Sequence, residues 1–304
     1  MKKETESLFT KLITVPFQRI NLLREFITFI SGKIGNYEYE ILKKKFIQNG
    51  KKAKFNEKLR YRIIEQFEYI DNNIPIMTTP TDGLFLAEAF LSMDAEGAII
   101  ECGCYAGGST AKLSLLAKIL GKNLLIFDSF EGLPDVSRNH QRVYDTRRGA
   151  SNWVSGKYNT NLEQVKANVK KYGDITNCSF YKGFFNKTLT ESQLPGKIAC
   201  AFTDVDLVSS VKECLIAIWP RISEGGIYFS HDIAFNEVLQ VFSDEDIWQK
   251  ILKEFPPVIY GAGFGLCNSS PHLGFFVKRK EKASNYIEKL MITKKKVKKG
   301  VKNK

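Results

Sequence analysis

The stretch Ile99-Ile100-Glu101-Cys102-Gly103-Cys104-Tyr105-Ala106-Gly107-Gly108-Ser109 joins a short apolar run to a glycine-rich turn. The run 98–102 predicts a buried strand, and Gly107-Gly108 lies where the next helix is predicted to begin. Glycines let the backbone approach a ligand closely, and a helix N-terminus offers free N–H groups to an anion. The stretch therefore predicts a loop that binds the polar end of a cofactor.

The spacing of the glycines separates two kinds of ligand. A dinucleotide-binding loop reads GxGxxG, whereas this loop reads ExGxxxGxS because Tyr105 and Ala106 interrupt that spacing. The pattern resembles the first motif of class I methyltransferases, which holds the methionine part of S-adenosylmethionine. A tight strand-to-helix turn without a ligand is the alternative. The residues that the resemblance assigns to the cofactor are Glu101, Gly103, Tyr105, Gly107, Gly108 and Ser109.

An acid at the end of the second predicted strand strengthens this interpretation. Asp128 closes the run 124–128 and lies 25 positions after Gly103, as expected for the next strand of a βαβ unit. A carboxylate there is placed to accept hydrogen bonds from both ribose hydroxyls of the cofactor. We include Ser129, the next residue, in the predicted cofactor site.

The rest of the chain predicts an α/β domain with additions at both ends. From residue 76 short apolar strands alternate with helices, which indicates a mainly parallel sheet with helices on both faces and ligands at the carboxyl ends of its strands. Residues 1–75 predict a helical N-terminal extension that Pro16 interrupts, and residues 281–304 predict a basic helix or tail. Within the cofactor-binding domain, 76–280, the polar and aromatic insert 134–158 predicts a lid.

Acidic residues follow the fourth and fifth predicted strands, which are neighbours in this architecture. We expect Asp204, His231 and Asp232 to converge. Two carboxylates, a histidine and waters suit a hard divalent cation such as Mg²⁺. Asp206 is expected instead to cap the helix that follows it.

Taken together, these segments resemble the TylF/MycF family, the macrocin-type sugar O-methyltransferases. The resemblance implies a Rossmann-like class I methyltransferase fold with a seven-stranded sheet, S-adenosylmethionine, Mg²⁺ and methylation of a sugar hydroxyl. It also implies cofactor contacts from Thr78, Gly183, Phe184 and Asp204. The matching stretches are Met77-Thr78, Glu101–Ser109, Asp128–Pro134, Asn161–Asn168, Gly183–Leu189, Asp204–Leu207 and Pro220–Asp232.

Two positions depart from the family pattern. The family commonly has Asp-Asp where this chain has His231-Asp232, and histidine is a poorer Mg²⁺ ligand than a carboxylate. The substitution points either to weaker metal dependence or to a softer metal such as Mn²⁺. The family also commonly continues with Leu-Tyr after the second acid, whereas Leu207-Val208 stands here.

Methyl transfer to a hydroxyl needs a group that takes the proton of the acceptor. Asp204 or His231 is expected to do so. His140 in the predicted lid and His272 near the end of the domain are the other candidate bases.

Composition sets limits on compartment and partners. The net charge is +12, of which the tail from Lys294 onward contributes seven lysines and no acid. This charge favours either a solvated surface or anionic partners, and the chain shows no zinc-finger spacing and no aromatic RNA-binding signature, which disfavours nucleic acid. The six cysteines form no CxxC pair and no secretory signal is evident, so we expect a reduced, cytoplasmic protein.

The expected acceptor is a carbohydrate, either lipid-linked or nucleotide-linked. The apolar face of the N-terminal helices favours packing on the protein's own core or on a second subunit, as in a homodimer, over peripheral association with the inner face of the membrane. Two alternatives stay open at this point. One is a metal-dependent relative with other chemistry, similar to the cephalosporin hydroxylases, and the other is a non-catalytic module that binds membrane or partner through its basic ends.

Overall fold

A computed structural model describes residues 16–135, 142–145 and 149–278 of the chain. Three helices come first, and strands and helices then alternate as the sequence predicts. The helices are α1 Pro16–Gln48, α2 Glu57–Asn73, α3 Pro80–Ser92, α4 Gly108–Leu120, α5 Leu162–Tyr172, α6 Phe185–Thr188, α7 Val208–Ile218 and α8 Asn236–Ser243. The strands are β1 Ala98–Cys102, β2 Leu124–Asp128, β3 Arg142–Asp145, β4 Gly149–Asn152, β5 Cys178–Lys182, β6 Ile198–Thr203, β7 Ile222–Ser230 and β8 Gly274–Val277.

The main sheet has the strand order β5-β2-β1-β6-β7-β8, in which only β8 runs antiparallel to its neighbour. The register aligns the carboxyl ends of the central strands. Cys102 pairs with both Phe127 and Thr203, and Thr203 pairs with Ser230. The loops that follow β1, β2, β6 and β7 therefore lie side by side, as expected for a parallel α/β sheet.

The prediction of seven strands is wrong for the described part of the chain, where the main sheet has six. The segment 258–260 makes a single bridge with β8, between Tyr260 and Phe275, and so adds no seventh strand.

Helices cover both faces of the sheet, which confirms the predicted layering. On one face, Phe46 of α1 and Phe67 of α2 share a core with Ile126 of β2. On the other face, Leu215 of α7 and Phe242 of α8 belong to a second core. Burying these apolar side chains is the main stabilising contribution of each layer.

The N-terminal helices are fixed to the domain by buried ion pairs. Arg60 pairs with Glu88 of α3 and donates to the carbonyl oxygen of Phe46 at 3.1 Å. Lys112 of α4 pairs with Asp71 of α2 at 2.5 Å. The described part of α1 begins at Pro16. The expected interruption at Pro16 stays a prediction, because residues 1–15 lie outside the described residues. None of the described helices is both long enough and apolar enough to cross a bilayer.

The insert after β2 is anchored at its own base. Its strands β3 and β4 form an antiparallel pair. Farther along, the Leu133 N–H donates to the Lys157 carbonyl at 2.9 Å, and the Gly156 N–H donates to the Leu133 carbonyl at 2.9 Å. Gly132 has φ +80°, and a Cβ there would lie 2.5 Å from the Lys157 oxygen, so the insert returns tightly to its starting point.

Candidate active site

A cavity of about 680 Å³ lies at the carboxyl ends of β1, β2, β6 and β7. Most of the residues that the sequence predicts for the site line this cavity. His140 lies outside the described residues. The predicted residues that line the cavity are Thr78, Gly103, Tyr105, Gly108, Ser109, Asp128, Ser129, Phe184, Asp204, His231, Asp232 and His272.

The loop after β1 adopts, at two glycines, a backbone conformation that residues with a side chain rarely adopt. Gly103 has φ +82°, and a Cβ there would lie 1.9 Å from the carbonyl oxygen of Asp204. Gly107 has φ +85° at the start of α4. Both positions therefore require glycine, because L-residues rarely adopt this conformation. The result is a tight turn that presents the N-terminus of α4 beside the cavity.

Glu101 was expected to contact the cofactor, but it does not line the cavity. It is fully buried, and its Oε1 atom accepts a hydrogen bond from the Ser109 hydroxyl at 2.6 Å. Burial raises the pKa of Glu101 to about 8, against the hydrogen bond from Ser109, which lowers it. Its Oε2 atom has no hydrogen-bond partner. Glu101 thus ties the first turn of α4 to β1.

Asp128 is held by the loops around it. Its Oδ2 atom accepts the Cys104 N–H at 2.7 Å, and its Oδ1 atom accepts the Phe130 N–H at 2.7 Å. Burial raises the pKa of Asp128, and these backbone bonds oppose the shift. Gly183 does not line the cavity, but its N–H donates to the Asp128 carbonyl at 2.9 Å and so places Phe184 at the cavity wall.

Three carboxylates form an acid cluster at the ends of β6 and β7. Asp204, Asp206 and Asp232 each offer an oxygen atom, and these atoms all lie within 4.8 Å of one another. Burial, together with the neighbouring acids, raises the pKa of Asp206 well above its usual range. Burial and Asp204 likewise raise the pKa of Asp232 to about 7. This arrangement concentrates negative charge that a cation would neutralise.

The expectation that Asp206 caps α7 is wrong. Leu207 is the residue before the helix, and it makes no side-chain cap hydrogen bond. Asp206 instead adopts the left-handed conformation with φ +60°. Asp232 supports this turn, since its Oδ2 atom accepts the N–H groups of Val205 at 2.9 Å and Asp206 at 3.1 Å. Strained backbone of this kind is frequent at functional sites.

His231 lies between two carboxylates. Its Nε2 atom is 3.2 Å from Asp82 Oδ2, and its Nδ1 atom is 3.4 Å from Asp204 Oδ1. Burial alone lowers the pKa of His231, but the charges and hydrogen bonds of Asp204 and Asp82 raise it well above its usual range. The predicted role of His231 as a metal ligand does not agree with this geometry, because both ring nitrogens already face carboxylates.

Asp82 belongs to the site although sequence reasoning missed it. It sits in the first turn of α3, where Thr79 and Asp82 form a capping box. Burial raises the pKa of Asp82, but bonds from His231, Ser270 and Thr79 outweigh it, and the net shift is downward. The sequence Thr79-Pro80-Thr81-Asp82 signals a helix start, and nothing in it signals a contact with residue 231.

Aromatic rings line one side of the cavity. Neighbouring ring centroids along this aromatic wall are 5.5 to 6.2 Å apart. The Lys157 ammonium lies 4.6 Å from the ring centroid of Trp153 and 4.7 Å from that of Tyr158. Of these rings, Tyr105 and His272 were predicted for the site, Trp153 and Tyr158 lie in the predicted insert 134–158, and Phe235 was missed. The members of the aromatic wall are Tyr105, Tyr158, Trp153, Phe235 and His272.

Comparison with known proteins places this geometry in context. A curated relative from Streptomyces olivaceus, 8-demethyl-8-(2,3-dimethoxy-alpha-L-rhamnosyl)-tetracenomycin-C 4'-O-methyltransferase, is 30% identical over 156 residues, which are 50% of this chain. The match spans 59% of the length of that relative.

Solved structures are similar at lower identity. The O-methyltransferase NovP is 16% identical with a TM-score of 0.48, over 82% of this chain and 100% of NovP. A calicheamicin methyltransferase is also 16% identical with a TM-score of 0.48, over 73% of this chain and 93% of its own.

The family comparison covers the sheet and the cavity. The model of the macrocin-O-methyltransferase (TylF) family matches residues 86–254, more than half of the chain. That range includes the glycine loop, Asp128 and the acid cluster. The chain therefore belongs to the TylF macrocin-O-methyltransferase family, as its sequence motifs indicate.

Proposed function

We propose that this chain transfers a methyl group from S-adenosylmethionine to a hydroxyl of a sugar. One observation carries the proposal. A continuous cavity joins the glycine loop and Asp128 to the acid cluster of Asp204, Asp206 and Asp232, in a chain of the TylF family. A cofactor held at the first end and an acceptor held at the second would meet within it.

For the cofactor, we assign the loop Gly103–Ser109 to the methionine part and Asp128 to the ribose. The N-terminus of α4 gives free N–H groups for the carboxylate. Asp128 carries lone pairs beyond the two that its backbone partners occupy, and these would accept the ribose hydroxyls. Ser129, Phe184 and Thr78 also line this end of the cavity and complete the proposed cofactor site.

For the metal, we assign Asp204, Asp206 and Asp232 rather than His231. An all-oxygen donor set suits Mg²⁺, with Mn²⁺ as the second choice. The raised pKa values of Asp206 and Asp232 support the assignment, since burial and the neighbouring acids outweigh the opposing charges of Lys157 and His231. When bound, such a cation would lower the cost of deprotonating the acceptor hydroxyl.

For the base, we assign Asp204. Its carboxylate is 23% exposed and lines the cavity, whereas the nitrogens of His231 face Asp82 and Asp204. The proton of the acceptor hydroxyl would pass to Asp204 as the hydroxyl oxygen bonds to the methyl carbon and the bond from that carbon to sulfur breaks. S-adenosylmethionine supplies the methyl group and leaves as a neutral thioether.

For the acceptor, we propose a sugar that packs against the aromatic wall. The relative from Streptomyces olivaceus methylates a rhamnosyl group by its name, which supports a deoxysugar here. A lipid or nucleotide carrier, a cytoplasmic location at the inner face of the membrane, and a homodimer built on the N-terminal helices are parts of the same proposal. Lys157 would give an anionic carrier a favourable contact.

The experiment is a transfer assay. Purified protein is incubated with methyl-labelled S-adenosylmethionine, MgCl₂ and p-nitrophenyl α-L-rhamnoside or rhamnose-containing glycan extracts, and the products are analysed by mass spectrometry. We expect acceptor products heavier by one CH₂ that disappear with Asp204→Asn. Label found in none of the acceptors, with protein that binds the cofactor, would contradict sugar methylation.

A further inference from the structure

We infer that Asp82 is a positioning residue of this site, which orients the ring of His231 and through it the carboxylate of Asp204. The catalytic part of this inference rests on the proposed function. Its structural part, the orientation of His231 by Asp82, stands on the contacts alone.

The first observation is how firmly Asp82 is held. Its side chain is 0% exposed. The Oδ2 atom accepts the Thr79 N–H at 2.6 Å, and the Oδ1 atom accepts the Ser270 hydroxyl. A carboxylate with partners on both oxygens has one orientation, because any rotation breaks charge-assisted hydrogen bonds in a buried setting.

The second observation is what this fixed carboxylate does to His231. The Nε2 atom of His231 lies 3.2 Å from Asp82 Oδ2. With Nε2 held there, Nδ1 on the opposite side of the ring points to Asp204 Oδ1 at 3.4 Å. A ring flip would remove both contacts, so Asp82 selects the orientation in which His231 supports Asp204.

The third observation is where the supports of Asp82 come from. Ser270 belongs to the loop that carries His272 into the cavity. The neighbouring Ser269 N–H donates to Glu38 Oε2 of α1 at 2.6 Å. Helix α3 and, through Glu38, helix α1 therefore hold the wall of the site from behind. By this contact of α1, the N-terminal extension would support the site in addition to packing.

The chemical consequence follows from the role of Asp204. A group that takes a proton acts best when a further group fixes its orientation. Without Asp82, His231 would keep its packing but lose the bond that aims its Nδ1 atom. Asp204 would then sample orientations that do not face the acceptor hydroxyl.

The test uses full-length protein with nitrogen-15-labelled histidine. The chain has three histidines, and His231→Gln identifies the signals of His231 by their loss. Asp82→Asn removes the proposed orienting charge. Glu88→Gln is the matched control, since Glu88 is also a buried acid of α3 with a cationic partner, Arg60. Ser270→Ala is a milder variant, which weakens the hold on Asp82 while its carboxylate remains.

We expect Asp82→Asn to shift the ring nitrogen signals of His231 and Glu88→Gln to leave them in place. Ser270→Ala should shift the His231 signals in the same direction by a smaller amount. If Asp82→Asn does not fold, the Ser270→Ala spectrum decides whether Asp82 orients His231. Transfer to p-nitrophenyl α-L-rhamnoside should lose about 10- to 100-fold in kcat with Asp82→Asn, as for supporting residues of other sites, with cofactor affinity unchanged.

Unchanged His231 signals in Asp82→Asn, or equal shifts in Glu88→Gln, would overturn the inference. The two proposals fail separately. A wild-type protein that methylates no acceptor contradicts the proposed function, whereas the nitrogen signals of His231 still decide whether Asp82 orients it.

Discussion

The Nε2 atom of His231 lies 3.2 Å from the Oδ2 atom of Asp82, although 149 positions separate the two residues. This contact joins the start of helix α3 to the end of strand β7. Asp82 is fully buried and His231 is 8% exposed, so their contact is largely shielded from solvent. Asp82 thus gives the histidine at position 231 a carboxylate partner.

This pairing predicts the result of restoring the family residue. His231→Asp places a carboxylate among Asp82 and Asp204, and like charges in a buried site repel each other. We expect a loss of about 3 kcal/mol or more in the free energy of unfolding, as when a buried pair is broken. Denaturant titration measures it. Asp82→Asn in the same protein should recover much of the loss.

His231→Asn is the control for this experiment. It removes the imidazole contacts without adding charge, so it should cost less than His231→Asp. If His231→Asp is as stable as the wild type, or if Asp82→Asn gives no recovery, the pairing does not determine which residue fits at position 231.

The acid cluster predicts opposite effects of Asp206→Asn with and without metal. Without metal the variant should melt about 1–2 °C higher, because one crowded charge is gone and about 1 kcal/mol gives such a shift in a protein of this size. Asparagine also tolerates the left-handed backbone of Asp206. Millimolar MgCl₂ should raise the Tm of the wild type more than that of the variant.

Thermal melts with and without MgCl₂ check this expectation. Asp135→Asn serves as the control, since Asp135 lines the same cavity but is outside the acid cluster. Equal stabilisation of wild type and Asp206→Asn by MgCl₂ would remove Asp206 from the proposed metal site.

Glu101 predicts a dependence of stability on pH. Its pKa is raised from 4.5 to about 8 by burial. The folded state then binds its proton more tightly than the unfolded state, so the contribution of Glu101 to stability is full below about pH 4.5 and is lost as the pH rises to about 8. Glu101→Gln keeps an acceptor for Ser109 but has no charge to bury.

We therefore expect the free energies of unfolding of Glu101→Gln and wild type to differ little at about pH 4.5. As the pH rises, the variant should become more stable than the wild type. The full difference should reach roughly 3–5 kcal/mol by about pH 8.5 and then level off. Denaturant titrations of the cofactor-free protein across this range measure it. A difference that stays constant with pH would show that Glu101 ionises in the fold as it does in water.

The sequence predicts the parts of this molecule that depend on local pattern. The strand ends at Cys102 and Asp128 follow from short apolar runs, and the loop at Gly103 follows from glycine spacing. Parallel strands align their carboxyl ends, so the convergence of Asp204 and Asp232 could also be predicted.

The rest depends on contacts that no local pattern encodes. Asp82 reads as a helix cap in the sequence, and its contact with His231 is made only by the packing of α3 against the sheet. Asp206 reads as a cap of α7, and its left-handed backbone is fixed by hydrogen bonds from its own loop to Asp232. The segment 258–260 makes one bridge with β8 and adds no seventh strand.

The central claim is that this cavity binds S-adenosylmethionine at the glycine loop and Asp128. Calorimetric titration with S-adenosylhomocysteine tests it most directly on the wild type, on Asp128→Asn and on Glu131→Gln, an exposed acid of the same loop. We predict one site per chain, retained in Glu131→Gln and weakened about 10- to 100-fold in Asp128→Asn, the cost of losing charged hydrogen bonds. No binding by folded wild-type protein, or equal binding by all three, would contradict the account.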